Sequence, residues 1–159
     1  MKQHTYQVRV DWTGNDGEGT KTYRSYRRDH TITSVGRPPI GGSSDPSFRG
    51  DPSRYSPEDL LVASLSSCHM LWYLHVCAVN QVTVVSYQDD AVGHMDETTD
   101  GSGAFVRVVL RPKVQITPDS DPAKALALHH EAHRFCFIAK SVNFAVDVEP
   151  PPPESLPPR

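Results

Sequence analysis

Two cysteines in separate apolar segments are the side chains of this sequence with the clearest capacity for chemistry. Cys68 ends the run Ser56-Pro-Glu-Asp-Leu-Leu-Val-Ala-Ser-Leu-Ser-Ser-Cys68, and Cys136 lies within Arg134-Phe-Cys-Phe-Ile-Ala-Lys140. A thiolate is a nucleophile, and two thiols that folding brings together can alternate between a dithiol and a disulfide. Each cysteine taken alone also fits a small, buried core residue. The residues themselves leave both interpretations open, a redox pair or an apolar core.

Charged residues before and at the start of the first apolar run are candidates for activating Cys68. A reactive thiol has a pKa lowered by a cation or a helix N-terminus, and Cys68 lies too far inside its predicted helix for the dipole to act strongly. Arg49 and Arg54, in the preceding loop, are the candidate cations. A carboxylate at Glu58 could orient a guanidinium through a bidentate pair. Each of these three residues also fits an ordinary role, as a dipole complement or a solvated loop charge.

The third cysteine and a histidine-rich segment fit structural roles better. Cys77 falls on roughly the opposite helical face from Cys68, which predicts a core residue. The segment His129-His-Glu-Ala-His133 approaches a zinc-protease motif, but that motif needs a histidine at position 134, where the sequence has arginine. His129 and His133 share a helical face without an identifiable third ligand. No functional metal is predicted, and these histidines are expected on a helix face that borders the active site.

Length and composition restrict the class of protein. A chain of 159 residues predicts one domain, assigned to residues 1–149, followed by a proline-rich tail at 150–159. Its hydrophobic content of 37% is low for a compact monomer and indicates that a partner completes part of the core. The net charge of −3, without a basic block, argues against nucleic acid as a partner. The N-terminus lacks the apolar core of a signal peptide, so a cytoplasmic location is expected.

The apolar pattern predicts the elements that must position these side chains. Alternation indicates strands at 6–12, 21–33, from residue 82, 106–116 and 142–149. Helices are predicted from Pro57 to about Val79, with Ser56 as the cap, and from Pro122 to about Cys136. The uncharged stretch from Leu60 to Val79 is long enough for a membrane helix, but its serines and histidines favour a buried helix of a soluble protein. The order ββ–α–ββ–α–β predicts an α+β domain with antiparallel sheets around one long buried helix.

Together these segments resemble the OsmC/Ohr family of thiol-dependent hydroperoxide reductases. The resemblance rests on Ser56-Pro-Glu58-Asp-Leu-Leu leading to Cys68, and on Cys136 ahead of a final strand; it leaves only the tail uncovered. Ser56 stands where the family usually has asparagine. His69 departs from the small or aromatic residue expected after the first cysteine. The stretch from Ala132 to Phe144 is similar to one OsmC-like subgroup.

The resemblance implies an OsmC-like fold and the reduction of organic hydroperoxides. It implies that Cys68 is the peroxidatic thiol, that Cys136 is the resolving thiol, and that Glu58 partners a catalytic arginine. Arg49 matches the position of that arginine best, with Arg54 as the alternative. The resemblance further implies an external dithiol reductant of the lipoyl type and no bound cofactor or metal.

Helix geometry adds the expectation of an intertwined homodimer. Glu58 and Cys68 are ten residues apart on one predicted helix, which separates them by about 15 Å along its axis. A carboxylate cannot reach over that distance to an arginine that also contacts the thiol. Two antiparallel copies of the helix would instead place Glu58 and Arg49 of one chain beside Cys68 and Cys136 of the other.

Two further functional classes remain as alternatives. A cysteine hydrolase would use Cys68 as an acyl nucleophile with a histidine base. A non-catalytic member of the family would keep the fold and act in ligand binding or thiol sensing.

Overall fold

The computed structural model describes residues 1–157 and confirms the α+β class. Residues 1–157 form two helices, α1 (Pro57–Val79) and α2 (Pro122–Phe135), and two short 3₁₀ turns, Pro46–Phe48 and Ala139–Ser141. The strands are β1 Arg9–Trp12, β2 His30–Thr33, β3 Ile40–Gly42, β4 Val84–Asp89, β5 Val92–Glu97, β6 Gly103–Leu110, β7 Pro112–Ile116, β8 Ala145–Val148 and β9 Glu154–Ser155. The chain divides into two compact units, Met1–Leu60 and a second that begins at Leu61.

The first unit contains an antiparallel sheet in the order β1–β2–β3. The sequence predicted longer strands at 6–12 and 21–33, but the segment between β1 and β2 consists mostly of turns. The Asn15 side chain accepts hydrogen bonds from the N–H groups of Gly17 and Gly19, at 3.0 and 2.9 Å. This local bonding competes with strand pairing and shortens both strands.

Helix α1 begins and ends where the sequence predicted. The Ser56 hydroxyl accepts a hydrogen bond from the Asp59 N–H at 3.1 Å, and the Asp59 carboxylate accepts one from the Ser56 N–H at 2.9 Å. This capping box satisfies two N–H groups that the helix itself leaves unpaired, and Pro57 occupies the first helical position. The helix then continues without a break for 23 residues. Glu58 and Cys68 therefore lie on one continuous element, about 15 Å apart along its axis.

Within a single chain, α1 is buried on one face and exposed on much of the remainder. Its buried side chains are Leu65, His69, Tyr73, Val76 and Cys77. Leu71 is 63% exposed and Leu74 is 36% exposed, so apolar surface on this helix stays uncovered by the chain's own contacts. By length and composition alone α1 could cross a membrane, a property that core helices of soluble proteins share.

The second unit contains two three-stranded sheets, ordered β4–β7–β9 and β5–β6–β8. The β4–β7 and β5–β6 pairs are antiparallel, whereas β6–β8 and β7–β9 are parallel. The single long strand predicted over 106–116 divides at Arg111 into β6 and β7, which belong to different sheets. The Arg111 N–H donates to Asp89 Oδ1 at 2.7 Å, and this side-chain bond replaces a ladder bond at the break.

Two apolar clusters in this unit hold α1 in place. The first contains Tyr73, Val76, Cys77, Val82, Val114, Ile116, Ala125 and Ala132, from α1, α2, β7 and the segment before β4. The second contains Leu65, Val108 and Leu110, from α1 and β6. Packed side chains thus fix α1 against α2 and against a strand of each sheet.

Part of the predicted proline-rich tail joins a sheet. Glu154–Ser155 forms β9 beside β7, and the Leu156 N–H donates to the Ile116 carbonyl at 3.0 Å. Residues 158 and 159 of the predicted tail lie outside the described residues.

Candidate active site

Helix α1 and the C-terminal end of α2 bring Cys68 and Cys136 together. The Cys136 thiol has the Cys68 thiol as a neighbour, close enough for Cys68 to affect its pKa. Cys136 is 1% exposed, whereas Cys68 is half-buried, and both are free thiols. Two neighbouring thiols, one of them accessible to solvent, are candidates for disulfide formation.

The surroundings of Cys136 keep it protonated. Burial raises the pKa of the Cys136 thiol to about 11, and the neighbouring Cys68 thiol acts in the same direction. The N–H of Ala139, in the following 3₁₀ turn, lies 3.5 Å from Cys136 Sγ and opposes this shift. At neutral pH the thiol at position 136 therefore retains its proton.

Cys77 is a core residue, as the helical spacing predicted. It is 1% exposed and belongs to the first apolar cluster. Burial raises the pKa of the Cys77 thiol, although a hydrogen bond with Tyr73 partly opposes the shift. A buried thiol with a raised pKa is a poor nucleophile, so Cys77 is separate from the candidate site.

An aromatic cluster adjoins the two thiols. Trp72 lies one helical turn after Cys68, and Phe135 and Phe137 flank Cys136 in the sequence. The Trp72 ring stacks on Phe135 with centroids 5.2 Å apart and meets Phe137 edge-on at 5.4 Å. Phe137 is 66% exposed. Solvent-accessible apolar surface therefore borders the thiol pair. This feature was not predicted from the sequence.

The two candidate arginines differ in their local bonding. Arg54 is engaged, because its Nε lies 3.6 Å from Asp51 Oδ2 and 3.9 Å from Asp29 Oδ2. Arg49 is exposed, and among residues 1–157 its guanidinium has no ion pair or hydrogen-bond partner. It also has a φ of 66°, a left-handed conformation that is uncommon for residues other than glycine and concentrated at functional sites. Of the two, Arg49 retains the capacity to bind another group.

Glu58 occupies the first turn of α1 with part of its carboxylate unsatisfied. Its Oε2 atom is buried and lacks a hydrogen-bond partner in the part of the chain that is described. Glu58 and Arg49 do not form an ion pair within one chain, again among the described residues. Buried carboxylate oxygens are normally hydrogen-bonded, so this oxygen is free to accept a hydrogen bond from a donor.

The histidines of α2 contact a histidine of α1. His69 Nε2 lies 3.1 Å from His129 Nδ1, and the two rings are stacked with an interplanar angle of 10°. Among residues 1–157, no group of three or more His, Cys, Asp or Glu side chains has the geometry to hold a metal ion. The contact between His69 and His129 was not predicted from the sequence, since it depends on the packing of two helices distant in the chain.

Known proteins are similar to this chain over most of its length. A family model described as OsmC-like protein matches residues 50–150. An OsmC-like protein of unknown function from Vibrio cholerae shares 36% identity, with 95% of this chain and 100% of that one covered and a TM-score of 0.82. No protein among the curated ones matches.

Two more distant structures share the fold. An organic hydroperoxide resistance protein OsmC from Legionella pneumophila is 17% identical, with a TM-score of 0.64 over 97% of this chain and 100% of that one. The organic hydroperoxide resistance protein OhrB of Bacillus subtilis is 22% identical, with a TM-score of 0.57 over 95% and 98% of the two chains. With a family match over residues 50–150 and these shared folds, the chain belongs to the OsmC-like family.

Proposed function

We propose that the protein reduces organic hydroperoxides to alcohols, with Cys68 as the peroxidatic thiol and Cys136 as the resolving thiol. The observation that carries the proposal is the proximity of a half-buried Cys68 to a fully buried Cys136. Membership of the OsmC-like family supports it, as do the organic hydroperoxide resistance proteins that share the fold.

In the first step the Cys68 thiolate attacks the distal oxygen of the hydroperoxide. The S–O bond forms as the O–O bond breaks, so Cys68 is oxidised to a sulfenic acid. The alkoxide that leaves takes a proton from water and becomes the alcohol.

In the second step Cys136 attacks the sulfenic sulphur of Cys68. The S–S bond forms, the S–O bond breaks, and the hydroxide that leaves combines with the Cys136 proton as water. An external dithiol, of the lipoyl type, then reduces the Cys68–Cys136 disulfide by two thiol–disulfide exchanges and is itself oxidised to a disulfide. Protein side chains and this dithiol supply all the electrons, so the scheme requires neither metal nor cofactor.

Arg49 and Glu58 complete the proposed site from a second copy of the chain. The continuous α1 separates Glu58 from Cys68 by about 15 Å within one chain, which a side chain does not span. Among the described residues, one Glu58 oxygen and the Arg49 guanidinium lack partners, and leucines of α1 are exposed. These features support an antiparallel homodimer. In this arrangement Glu58 orients Arg49, and Arg49 stabilises the thiolate at Cys68 of the other chain.

The aromatic cluster favours a substrate with an apolar group over hydrogen peroxide. Trp72 and the exposed Phe137 offer apolar area beside the thiols, and burying such area stabilises a bound alkyl or aryl group. A cytoplasmic location, where thiols stay reduced, is part of this proposal.

The test is the consumption of cumene hydroperoxide by the purified protein with dihydrolipoamide as reductant. We expect turnover of cumene hydroperoxide to exceed that of hydrogen peroxide at least tenfold, an order-of-magnitude expectation from the apolar surface. Binding of the hydroperoxide without consumption would instead indicate a non-catalytic member of the family. Turnover of p-nitrophenyl acetate that survives Cys136→Ser would indicate a cysteine hydrolase.

A further inference from the structure

A buried histidine pair connects the two helices that carry the thiols. His69 of α1 is 0% exposed and His129 of α2 is 4% exposed. The distance of 3.1 Å between His69 Nε2 and His129 Nδ1 is that of a hydrogen bond, with one ring as donor and the other as acceptor. Tyr73 stacks on His129 with centroids 3.8 Å apart, so the pair is enclosed by aromatic surface.

The pair is uncharged at neutral pH. Burial lowers the pKa of His69 to about 4, with a further contribution from His133, and burial and His69 together lower the pKa of His129 to about 3. The titratable groups next to the pair are Tyr73 on α1 and His133 on α2; Cys77 on α1 and Tyr87 on β4 in turn neighbour Tyr73. Among the described residues, neither imidazole has a carboxylate as a hydrogen-bond partner.

Few directional bonds hold α1 against α2. Within residues 1–157, two hydrogen bonds join the helices: His69 to His129, and the Tyr73 hydroxyl to the Ala125 carbonyl at 3.0 Å. The remaining contacts are apolar packing and the stacking of Trp72 on Phe135. Apolar contacts tolerate small slides between helices, whereas a bond between two rigid rings fixes both separation and rotation.

This bond lies close to both thiols along the chain. His69 directly follows Cys68 in α1. His129 precedes Cys136 by seven residues, which is about two helical turns. A shift of one helix against the other at the histidine pair therefore moves the two sulphurs relative to each other.

We propose that the His69–His129 hydrogen bond holds Cys68 opposite Cys136, so that both histidines are positioning residues for formation of the disulfide. The proposal rests on the proposed function in taking these thiols as the redox pair. Disulfide formation requires narrow limits on the separation of the two Cβ atoms and on the torsion about the S–S bond. A displacement of about 1 Å is sufficient to slow such a step by tenfold or more.

Oxidised glutathione tests the positioning without any hydroperoxide. The Cys68 thiolate displaces one glutathione thiolate to give a mixed disulfide; Cys136 then attacks Cys68 and releases the second glutathione as a thiol. Intact mass spectrometry over time measures how fast the mixed disulfide becomes the internal disulfide. The same variants are also made with Cys136→Ser, in which the mixed disulfide at Cys68 cannot be resolved by position 136. Their rate of glutathionylation measures the reactivity of Cys68 separately.

The variants are matched in size and polarity. His129→Asn places an amide atom where Nδ1 was, and it can donate or accept; His129→Gln moves the amide one methylene further along. His130→Gln alters the next residue of α2, which is exposed, and serves as the control. Circular dichroism establishes that each variant is folded, and His69→Gln, which retains an amide near Nε2, gives an independent variant if a change at position 129 prevents folding.

We expect wild type, His130→Gln and His129→Asn to convert the mixed disulfide rapidly. In His129→Gln the conversion should slow at least tenfold with the glutathionylation rate unchanged. Equal conversion rates for His129→Asn, His129→Gln and wild type would overturn the proposal. A wild-type protein that forms no internal disulfide would overturn both this proposal and the thiol pairing. Failure to consume hydroperoxide while the internal disulfide still forms would refute the peroxidase function alone.

Discussion

Cys136 neighbours Cys68 from a position that solvent does not reach. The two thiols therefore differ in access, although they lie close together. A hydroperoxide can approach the half-buried Cys68, whereas Cys136 is shielded from it. This difference in access implies that Cys68 is oxidised first in the proposed cycle and that Cys136 reacts second.

Replacing each cysteine by serine should have a different outcome. Cys68→Ser should abolish hydroperoxide reduction, since no nucleophile remains at the accessible position. Cys136→Ser should allow one rapid oxidation per chain and then over-oxidation of Cys68 to the sulfinic acid, because no thiol resolves the sulfenic acid. Cys77→Ser should retain activity and lose only stability. Intact mass spectrometry after peroxide treatment distinguishes these states; a disulfide that includes Cys77 would contradict the assignment.

Removal of Arg49 should shift the pH dependence of the reaction. In Arg49→Ala the Cys68 thiolate loses the cation proposed to stabilise it, so the rate at pH 7 should fall and the pH–rate profile should move to more alkaline pH. Stopped-flow measurement of thiol oxidation between pH 5 and 9 tests this. Arg54→Ala is the matched control, since Arg54 is engaged with Asp29 and Asp51. An alkaline shift in Arg54→Ala alone would exchange the two assignments.

Mixed dimers should recover activity from two inactive chains. Glu58→Gln and Cys68→Ser chains, unfolded and refolded together in equal amounts, form half of their dimers as mixed species with one intact site each. Activity of about a quarter of wild type is therefore expected in a two-fold symmetric dimer. Native mass spectrometry establishes that the chains have mixed. Mixed dimers that remain inactive would mean that Glu58 acts within its own chain.

Acidification should destabilise the fold through the histidine pair. The folded-state pKa values of His69 and His129 lie near 4 and 3, below the ordinary 6.5, so between these values the unfolded chain binds protons that the folded chain does not. The stability that the uncharged pair contributes is thus fully present well above pH 6.5 and is lost as the pH falls. Each histidine should contribute a loss of about 2 kcal/mol between pH 7.5 and pH 5.

Urea unfolding at pH 7.5 and pH 5 measures this loss in wild type and in a His69→Gln/His129→Asn double variant, which lacks both imidazoles. The variant should lose less stability on acidification than wild type does. The window above pH 5 avoids the carboxylates whose pKa values are lowered by their hydrogen bonds, such as Asp16 and Asp45. Equal pH dependence in both proteins would mean that the pair is already charged or solvated in the folded state.

The parts of the fold that the sequence predicted are those with local causes. Ser56, Pro57 and Asp59 define the start of α1 within a single turn, and the helix bounds were confirmed. The break at Arg111 was not predicted, because the apolar alternation continues through it and the cause is a carboxylate from another strand, Asp89. The parallel pairing of β8 with β6 and of β9 with β7 was likewise not predicted, because it depends on contacts between strands that are distant in the chain.

The same distinction between local and distant causes applies to the candidate site. The pairing of Cys68 with Cys136 followed from a family resemblance, and neither spacing nor periodicity alone contained it. The histidine pair escaped prediction because His69 and His129 are 60 positions apart and meet through helix packing.

The packing of Trp72 against Phe135 and Phe137 gives the protein an intrinsic optical reporter. The chain has two tryptophans, and the other, Trp12, belongs to β1. A Trp12→Phe variant would leave a single indole, one helical turn from Cys68 and in contact with both neighbours of Cys136. Oxidation of the thiols changes the surroundings of that indole, so its fluorescence follows each turnover in real time, without a coupled reductant or an added dye.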